Sequence, residues 1–269
     1  MRRHRALLTG IAVLLSGTLL FSSAMIWKEL SGRQKEKEEF SALAELVEAP
    51  EANPPVTSET PPAEADEPDE AAELRDLAPL FAQNGDCIGW LSIPGTQINY
   101  PVMHTPEEPQ KYLRRSFYGE YSQSGVPFLD WRCSLDSDNL IIYGHNMKNG
   151  TMFHTLLEYK DEEFYSEHPT IRYNTLYEEQ EYEIFAVFLS KIYKKSETDV
   201  FKFYQFYQAE NEEEFDEYVQ NCKELSLYDT GITPEYGDEL ITLSTCEYTQ
   251  ANGRIVVVAR KVTPSDSAE

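Results

Sequence analysis

The sequence predicts a mainly β domain, a mixed-topology barrel with peripheral helices, carried behind an apolar N-terminal helix. Three observations lead there. Short runs rich in β-branched and aromatic residues recur between residues 87 and 259, with turn residues between them. Only two stretches in that region carry helical spacing, so helices act as crossovers there. In the terminal pair of runs, residues 240–245 alternate apolar and hydroxyl side chains. Residues 255–259 are almost wholly β-branched, the pattern of a strand buried on both faces.

In chain order, Arg2, Arg3, His4 and Arg5 precede an uncharged run over residues 6–27. About 20 apolar residues suffice for a helix to cross a hydrocarbon core, so this run is expected to be a transmembrane anchor. The basic cluster predicts residues 1–5 in the cytoplasm and the remainder outside. A cleaved secretory signal is the alternative, with Ser22-Ser23-Ala24 as a peptidase site. The run exceeds the roughly 7–15 residues of a signal core, which favours an uncleaved anchor. Residues 28–76 read as a stalk outside the cell. Its first part, 28–48, is expected to be partly helical; residues 49–70, rich in Pro, Glu and Ala, should be extended and disordered.

The folded domain is expected over residues 77–263, with a short tail at 264–269. Residues 87–96 read as a strand ending in a Pro-Gly turn, 97–103 as a second strand and 111–118 as a connector. Residues 125–131 and 139–143 give two more strands. Residues 151–159 read as helical, with Phe153, Leu156 and Leu157 on one side. Strands follow at 170–174 and 181–192. Residues 211–225 then form an amphipathic helix, with Phe215, Tyr218, Val219 and Cys222 at i, i+3, i+4 and i+7.

A formal charge of -24 argues against nucleic acid as a partner, because neutralising phosphates needs a basic surface. Among Cys87, Cys133, Cys222 and Cys246 no pair has the C-x-x-C spacing of a zinc or redox site. At 41% hydrophobic residues the domain can build a core without disulfides. Cys222 on the apolar helix face and Cys87 at a strand start read as structural.

Cys246 differs from these. It ends a strand after small hydroxyl residues, a placement that favours access, although a buried structural thiol remains the alternative. A thiol nucleophile needs an imidazole to take and return its proton. Of five histidines, His145 has the matching placement, just past the strand 139–143, with Gly144 letting the chain turn. A solvated loop histidine is the competing reading. Arg254 begins the last strand. It either offers fixed donors to a developing oxyanion or pairs with Glu247 or another carboxylate. Asp130, Asp136 and Asp138 lie near His145 in sequence, but none stands out as its orienting acid.

These residues carry a resemblance. Thr242-Leu243-Ser244-Thr245-Cys246 followed by Arg254-Ile255-Val256-Val257-Val258-Ala259 resembles the signature strand pair of sortases, the cysteine transpeptidases of Gram-positive cell surfaces. Tyr143-Gly144-His145 is similar to the family's histidine motif; Gly89-Trp90-Leu91 with Ile93, then Tyr100-Pro101-Val102, are similar to its first strands. The helix 211–225 and the N-terminal anchor point to class B. The resemblance implies an eight-stranded sortase β-barrel without a required cofactor. It implies Cys246 as nucleophile, His145 as general acid/base, and Arg254 as transition-state and substrate-positioning residue. Ser244, Thr245, Leu113 and Glu247 are the expected peptide-groove residues, and the short 247–253 loop is expected to influence which peptide is accepted.

The partners it implies are sorting-signal peptides of secreted proteins and the amine of a lipid-linked peptidoglycan precursor, met at the outer membrane face. A pilin-polymerising sortase and a non-catalytic tethered binding module are the alternatives. The first tends to carry a lid and a C-terminal span, and residues 262–269 show no such span.

Overall fold

Residues 2–48 and 77–263 are described by a computed structural model, the side chains of 2–14, 29 and 48 excepted. The expected disordered segment 49–70, the rest of the stalk to residue 76 and the tail 264–269 lie outside the described residues. The chain forms two compact units, Met1–Ala42 and Leu43–Glu269.

The first unit is helical. Helix α1 (Arg2–Glu48) is continuous over 47 residues, where a span and a partly helical stalk were expected. The expected transmembrane segment is not supported: among the described residues no helix is long and apolar enough to cross a membrane. Only the later part of the 6–27 run, from Leu15 on, has described side chains, and Ser16, Gly17, Thr18, Ser22 and Ser23 interrupt it.

The second unit takes in the last residues of α1 and then, from residue 77 on, a short helix α2 (Ala78–Gln83), started by a proline in its first turn. Strands β1 (Cys87–Ser92), β2 (Asn99–Met103), β3 (Phe128–Leu129) and β4 (Asn139–Tyr143) follow. Then come helix α3 (Glu162–Glu167), strands β5 (Thr170–Asn174) and β6 (Glu179–Lys191), and helix α4 (Glu212–Leu225). Strands β7 (Leu240–Cys246) and β8 (Gly253–Lys261) complete the unit. The eight strands close into a barrel in the order β1-β2-β3-β4-β7-β8-β6-β5. Neighbours are antiparallel except β2 with β3 and β4 with β7, which are parallel. The eight-stranded barrel with peripheral helices that the sequence suggested is the fold the chain adopts.

Local chemistry explains the elements. Ile255, Val256, Val257, Val258 and Ala259 of β8 are all fully buried. One face of β8 looks into the barrel and the other lies under α4, whose Phe215, Tyr218, Val219 and Cys222 pack with Phe185, Phe188, Val256 and Val258. Burial of both faces is why this strand has no polar alternation. Helix α4 starts where the Asn211 side chain accepts from the Glu214 amide, followed by three acidic residues that suit the positive end of the helix dipole.

Several boundaries differ from expectation. β1 stops at Ser92 because Ile93 and Ile98 close a turn, the Ile93 amide donating to the Ile98 carbonyl at 2.9 Å. β3 is reduced to two residues, since the chain before it is held by turns, with the Val126 amide on the Tyr112 carbonyl at 3.1 Å. The helix expected at 151–159 is a 3-10 helix over Phe153–Lys160 that buries Phe153, Leu156 and Tyr159. That spacing of three is the 3-10 period, and it leaves Leu157 off the buried stripe. α3 was not anticipated; the Asp161 side chain caps it by accepting from the Glu163 amide.

Candidate active site

Three adjacent strands bring the candidate residues to one edge of the barrel. β4 runs parallel to β7 with Tyr143 opposite Ser244. Beyond the last pair the two chains stay together: the Gly144 amide donates to the Ser244 carbonyl at 3.3 Å, and the Thr245 hydroxyl to the Gly144 carbonyl at 2.7 Å. His145 therefore emerges at the level of Cys246. On the other side, Cys246 pairs directly with Arg254 of β8. Directly opposed residues in an antiparallel pair hold their Cβ atoms about 4.5–5.5 Å apart. The edge thus reads imidazole, thiol, guanidinium across β4, β7 and β8.

His145 is oriented by main chain. Its Nε2 lies 2.9 Å from the carbonyl of Leu113, in the 3-10 turn Lys111–Arg114. A carbonyl can only accept, so Nε2 carries the proton and Nδ1 holds the lone pair of the neutral ring. Burial pushes the imidazole below its ordinary pKa; the Leu113 bond pulls it partly back, and the Arg114 charge lowers it again. Two of the three acids near it in sequence are engaged elsewhere. Asp130 accepts both Nε and Nη2 of Arg132 at 2.8 Å and the Tyr143 hydroxyl at 3.0 Å, and Asp138 accepts the Ala209 amide at 2.7 Å.

The carbonyl of Leu113 is placed by Gly125, at φ +60; a Cβ there would lie 2.7 Å from that oxygen and 2.5 Å from the Tyr112 oxygen. Gly144 serves differently from the sharp turn expected of it. Its φ is ordinary, and the missing Cβ makes room for the Phe153 ring, 2.6 Å from where that atom would be.

Arg254 donates through Nη1 to the carbonyls of Gly253 at 2.8 Å and Asn252 at 3.3 Å. The turn before it depends on Asn252 in the left-handed region, φ 58. Arg254 does not pair with Glu247, the alternative considered for it: Glu247 binds Lys160 at 2.7 Å and the Thr249 amide at 2.9 Å. Only 4% exposed, Glu247 ties the β7–β8 loop to the 3-10 helix below it. Burial alone would raise its carboxyl pKa, but Lys160 and Thr249 outweigh that and hold it low.

The other expected groove residues divide by strand alternation. Ser244 shares the face of Cys246 and is buried, with no hydrogen-bond partner for its hydroxyl among the described residues. Thr245 points to the opposite face, where it binds the Gly144 carbonyl. The structure thus brings Cys246, His145, Arg254, Ser244 and the Leu113 carbonyl together, and turns Glu247 and Thr245 away.

Two residues were missed. Asn146 donates through Nδ2 to the Cys246 carbonyl at 2.8 Å, and its Oδ1 accepts from Nδ1 of His154 at 2.7 Å. This link pins the main chain of Cys246 to the histidine loop. The loop is closed by the Phe153 amide on the His145 carbonyl at 2.9 Å and by Met152 at φ 58, a strained value for a residue with a side chain. The position of Asn146 right after His145 was the only signal in the sequence. Among the described residues no cluster of three or more His, Cys, Asp or Glu is arranged to hold a metal ion.

Comparison with known proteins gives the same picture. The sortase domain model matches residues 91–262. The chain is 37% identical to sortase B of Listeria monocytogenes over 71% of its own length and 74% of that protein's. It is 32% identical to sortase B of Staphylococcus aureus, over 66% and 70%. Among solved structures, sortase B from B. anthracis in complex with AAEK1 superposes with a TM-score of 0.67 at 29% identity, covering 87% of this chain and 99% of that one. A Staphylococcus aureus sortase B–substrate complex gives 0.63 at 28% identity, covering 71% and 87%. The chain belongs to the sortase family, class B, and is a cysteine transpeptidase.

Proposed function

We propose that the enzyme cleaves a sorting-signal peptide of secreted proteins through a thioacyl intermediate on Cys246 and passes the acyl group to an amine of a peptidoglycan precursor. One observation carries this reading: Cys246 stands opposite Arg254 in the β7–β8 pairing, with His145 level with it on β4. Nδ1 of neutral His145 takes the thiol proton, and the thiolate attacks the scissile carbonyl carbon. Arg254 donates to the oxyanion that forms. As the C–N bond breaks, the imidazolium returns its proton to the leaving amine, and a thioester remains. The incoming amine attacks that thioester, gives its proton to His145 and releases Cys246 as thiolate. The neutral histidine described above is the form the first step needs.

Tethering by the N-terminal helix belongs to the same proposal. It rests on the uncharged run 6–27 of the sequence, and carbonate extraction of membranes tests it.

Profiling cleavage of a pentapeptide library tests the chemistry and finds the sorting motif. Cys246→Ala is expected to abolish cleavage. His145→Ala and Arg254→Ala should lower kcat by about 10^2 or more, the scale of a lost acid/base or oxyanion donor. Near-normal cleavage by Arg254→Ala would remove its oxyanion role. An iodoacetamide label on the folded chain should reach Cys246 alone, because burial pushes Cys87 up to about 12 and Cys133 up to about 11, and raises Cys222 as well.

A further inference from the structure

A cleft of about 780 Å3 opens on the outer side of the turn that holds His145, lined by Glu108, Gln110, Lys111, Arg114, Arg115 and Tyr121 among others. Its charge runs against that of the chain, which carries -24 overall. Lys111 is balanced within the fold, at 2.5 Å from Asp86 with Glu108 nearby. The two arginines are not balanced in this way. Arg114 donates through Nη1 to the Gln123 carbonyl at 2.7 Å, and Arg115 through Nη1 to the Gly119 carbonyl at 2.9 Å. Among the described residues neither pairs with a carboxylate. Each side chain is steadied by main chain at one nitrogen. Tyr121, 80% exposed, stands beside them.

We propose that this cleft binds a phosphate or diphosphate group. Two guanidinium groups, each a planar fork of donors, suit the several anionic oxygens that a phosphate or diphosphate group presents around its phosphorus atoms. The cleft adjoins the base: Leu113, between Lys111 and Arg114, holds His145, and the Arg114 charge is felt at that imidazole. A phosphate-bearing molecule seated there would sit beside the group that handles the proton of the incoming amine. Its assignment to the amine substrate rests on the function proposed above; the binding site itself does not.

The group has two possible sources, a soluble or substrate-borne diphosphate and a phospholipid headgroup, and the test separates them. The full chain is titrated with inorganic pyrophosphate by calorimetry, and sedimented with phosphatidylglycerol vesicles. The wild type is compared with Arg115→Gln and with the Arg114→Gln/Arg115→Gln pair. Since the variants share the N-terminal helix, any vesicle affinity of that helix cancels. Losing a charge-assisted contact should weaken binding about 10- to 100-fold, and added salt should weaken it further. Loss in the pyrophosphate arm assigns the site to a diphosphate; loss in the vesicle arm alone assigns it to a lipid headgroup. Equal binding by wild type and Arg115→Gln in both arms, or no binding at millimolar ligand, overturns the proposal. The single variant keeps the test valid should the pair fail to fold. Absence of peptide cleavage by the wild type would sink the transpeptidation scheme and leave the binding result standing.

Discussion

His145 is oriented by a main-chain carbonyl, and that choice leaves its titration to burial and to Arg114. A carboxylate partner would stabilise imidazolium and raise the pKa; the Leu113 oxygen does so only weakly, and the net shift is downward. The neutral base therefore persists to lower pH than for a free histidine. The acidic limb of kcat/KM is expected below about 6.5, the ordinary histidine value. Arg114→Gln removes a positive neighbour, so the imidazolium becomes easier to form, the pKa rises and the limb moves to higher pH. A pH–rate profile of both enzymes checks this; an unmoved or lowered limb would show that Arg114 does not act on the base. The role of Leu113 was only half legible. Its proximity to the site followed from resemblance, but its contribution is a backbone oxygen, which a side-chain pattern does not encode. Glu247 misled for the opposite reason. Its neighbour Cys246 faces the edge, and alternation sends Glu247 the other way, to Lys160.

At the scale of elements, the site depends on the 3-10 turn Lys111–Arg114 being pressed against the 122–126 segment. Gly125 makes that approach possible. Gly125→Ala would put a methyl 2.7 Å from the Leu113 oxygen and hold a side chain at φ +60, so the turn must shift and carry the His145 acceptor with it. A displacement of about 1 Å in catalytic geometry can lower rates by ~10^2. The expectation is a 10- to 100-fold loss in kcat with a smaller change in KM and a folded circular dichroism spectrum. Unchanged kcat would mean that the Leu113 contact does not position the base. The elements themselves were largely readable, because β7, β8, β6 and α4 have strong periodicity and the residues expected to be buried are buried. β3 was overextended because residues 125–127 have strand composition but spend their hydrogen bonds on turns. The type of the 153–160 helix is not legible from its first apolar residues, because Phe153 and Leu156 fit either period and only the burial of Tyr159 in place of Leu157 tells them apart.

At the scale of the molecule, the sequence pattern supplied strands but not their partners. The parallel pairing of β4 with β7, which carries His145 to Cys246, joins segments about a hundred residues apart and has no local signature. What makes the arrangement stable is the second core, outside the barrel, where α4 covers β6 and β8. A buried polar knot fastens it: Asn139 donates to the Phe206 carbonyl at 2.8 Å and accepts from Thr242 at 2.8 Å, and the Tyr218 hydroxyl lies 3.2 Å from its amide nitrogen. Most of this core lies away from the chemistry, and its nearest member, Val256, is two residues along β8 from Arg254. Leu240, which belongs to it, is six residues along β7 from Cys246, about 20 Å at the rise of a strand. Phe215, 1% exposed, is its largest side chain contributed by α4 besides Tyr218. Phe215→Ala should cost about 3–5 kcal/mol, lowering Tm by roughly 6–20 °C, while the kcat of the folded enzyme at low temperature stays within about two-fold of wild type. Thermal unfolding followed by calorimetry, with peptide cleavage measured well below the variant's midpoint, separates the two effects. A large fall in kcat without loss of stability would show that α4 reaches the active edge through β8, and that the outer core shapes the site as well as supporting it.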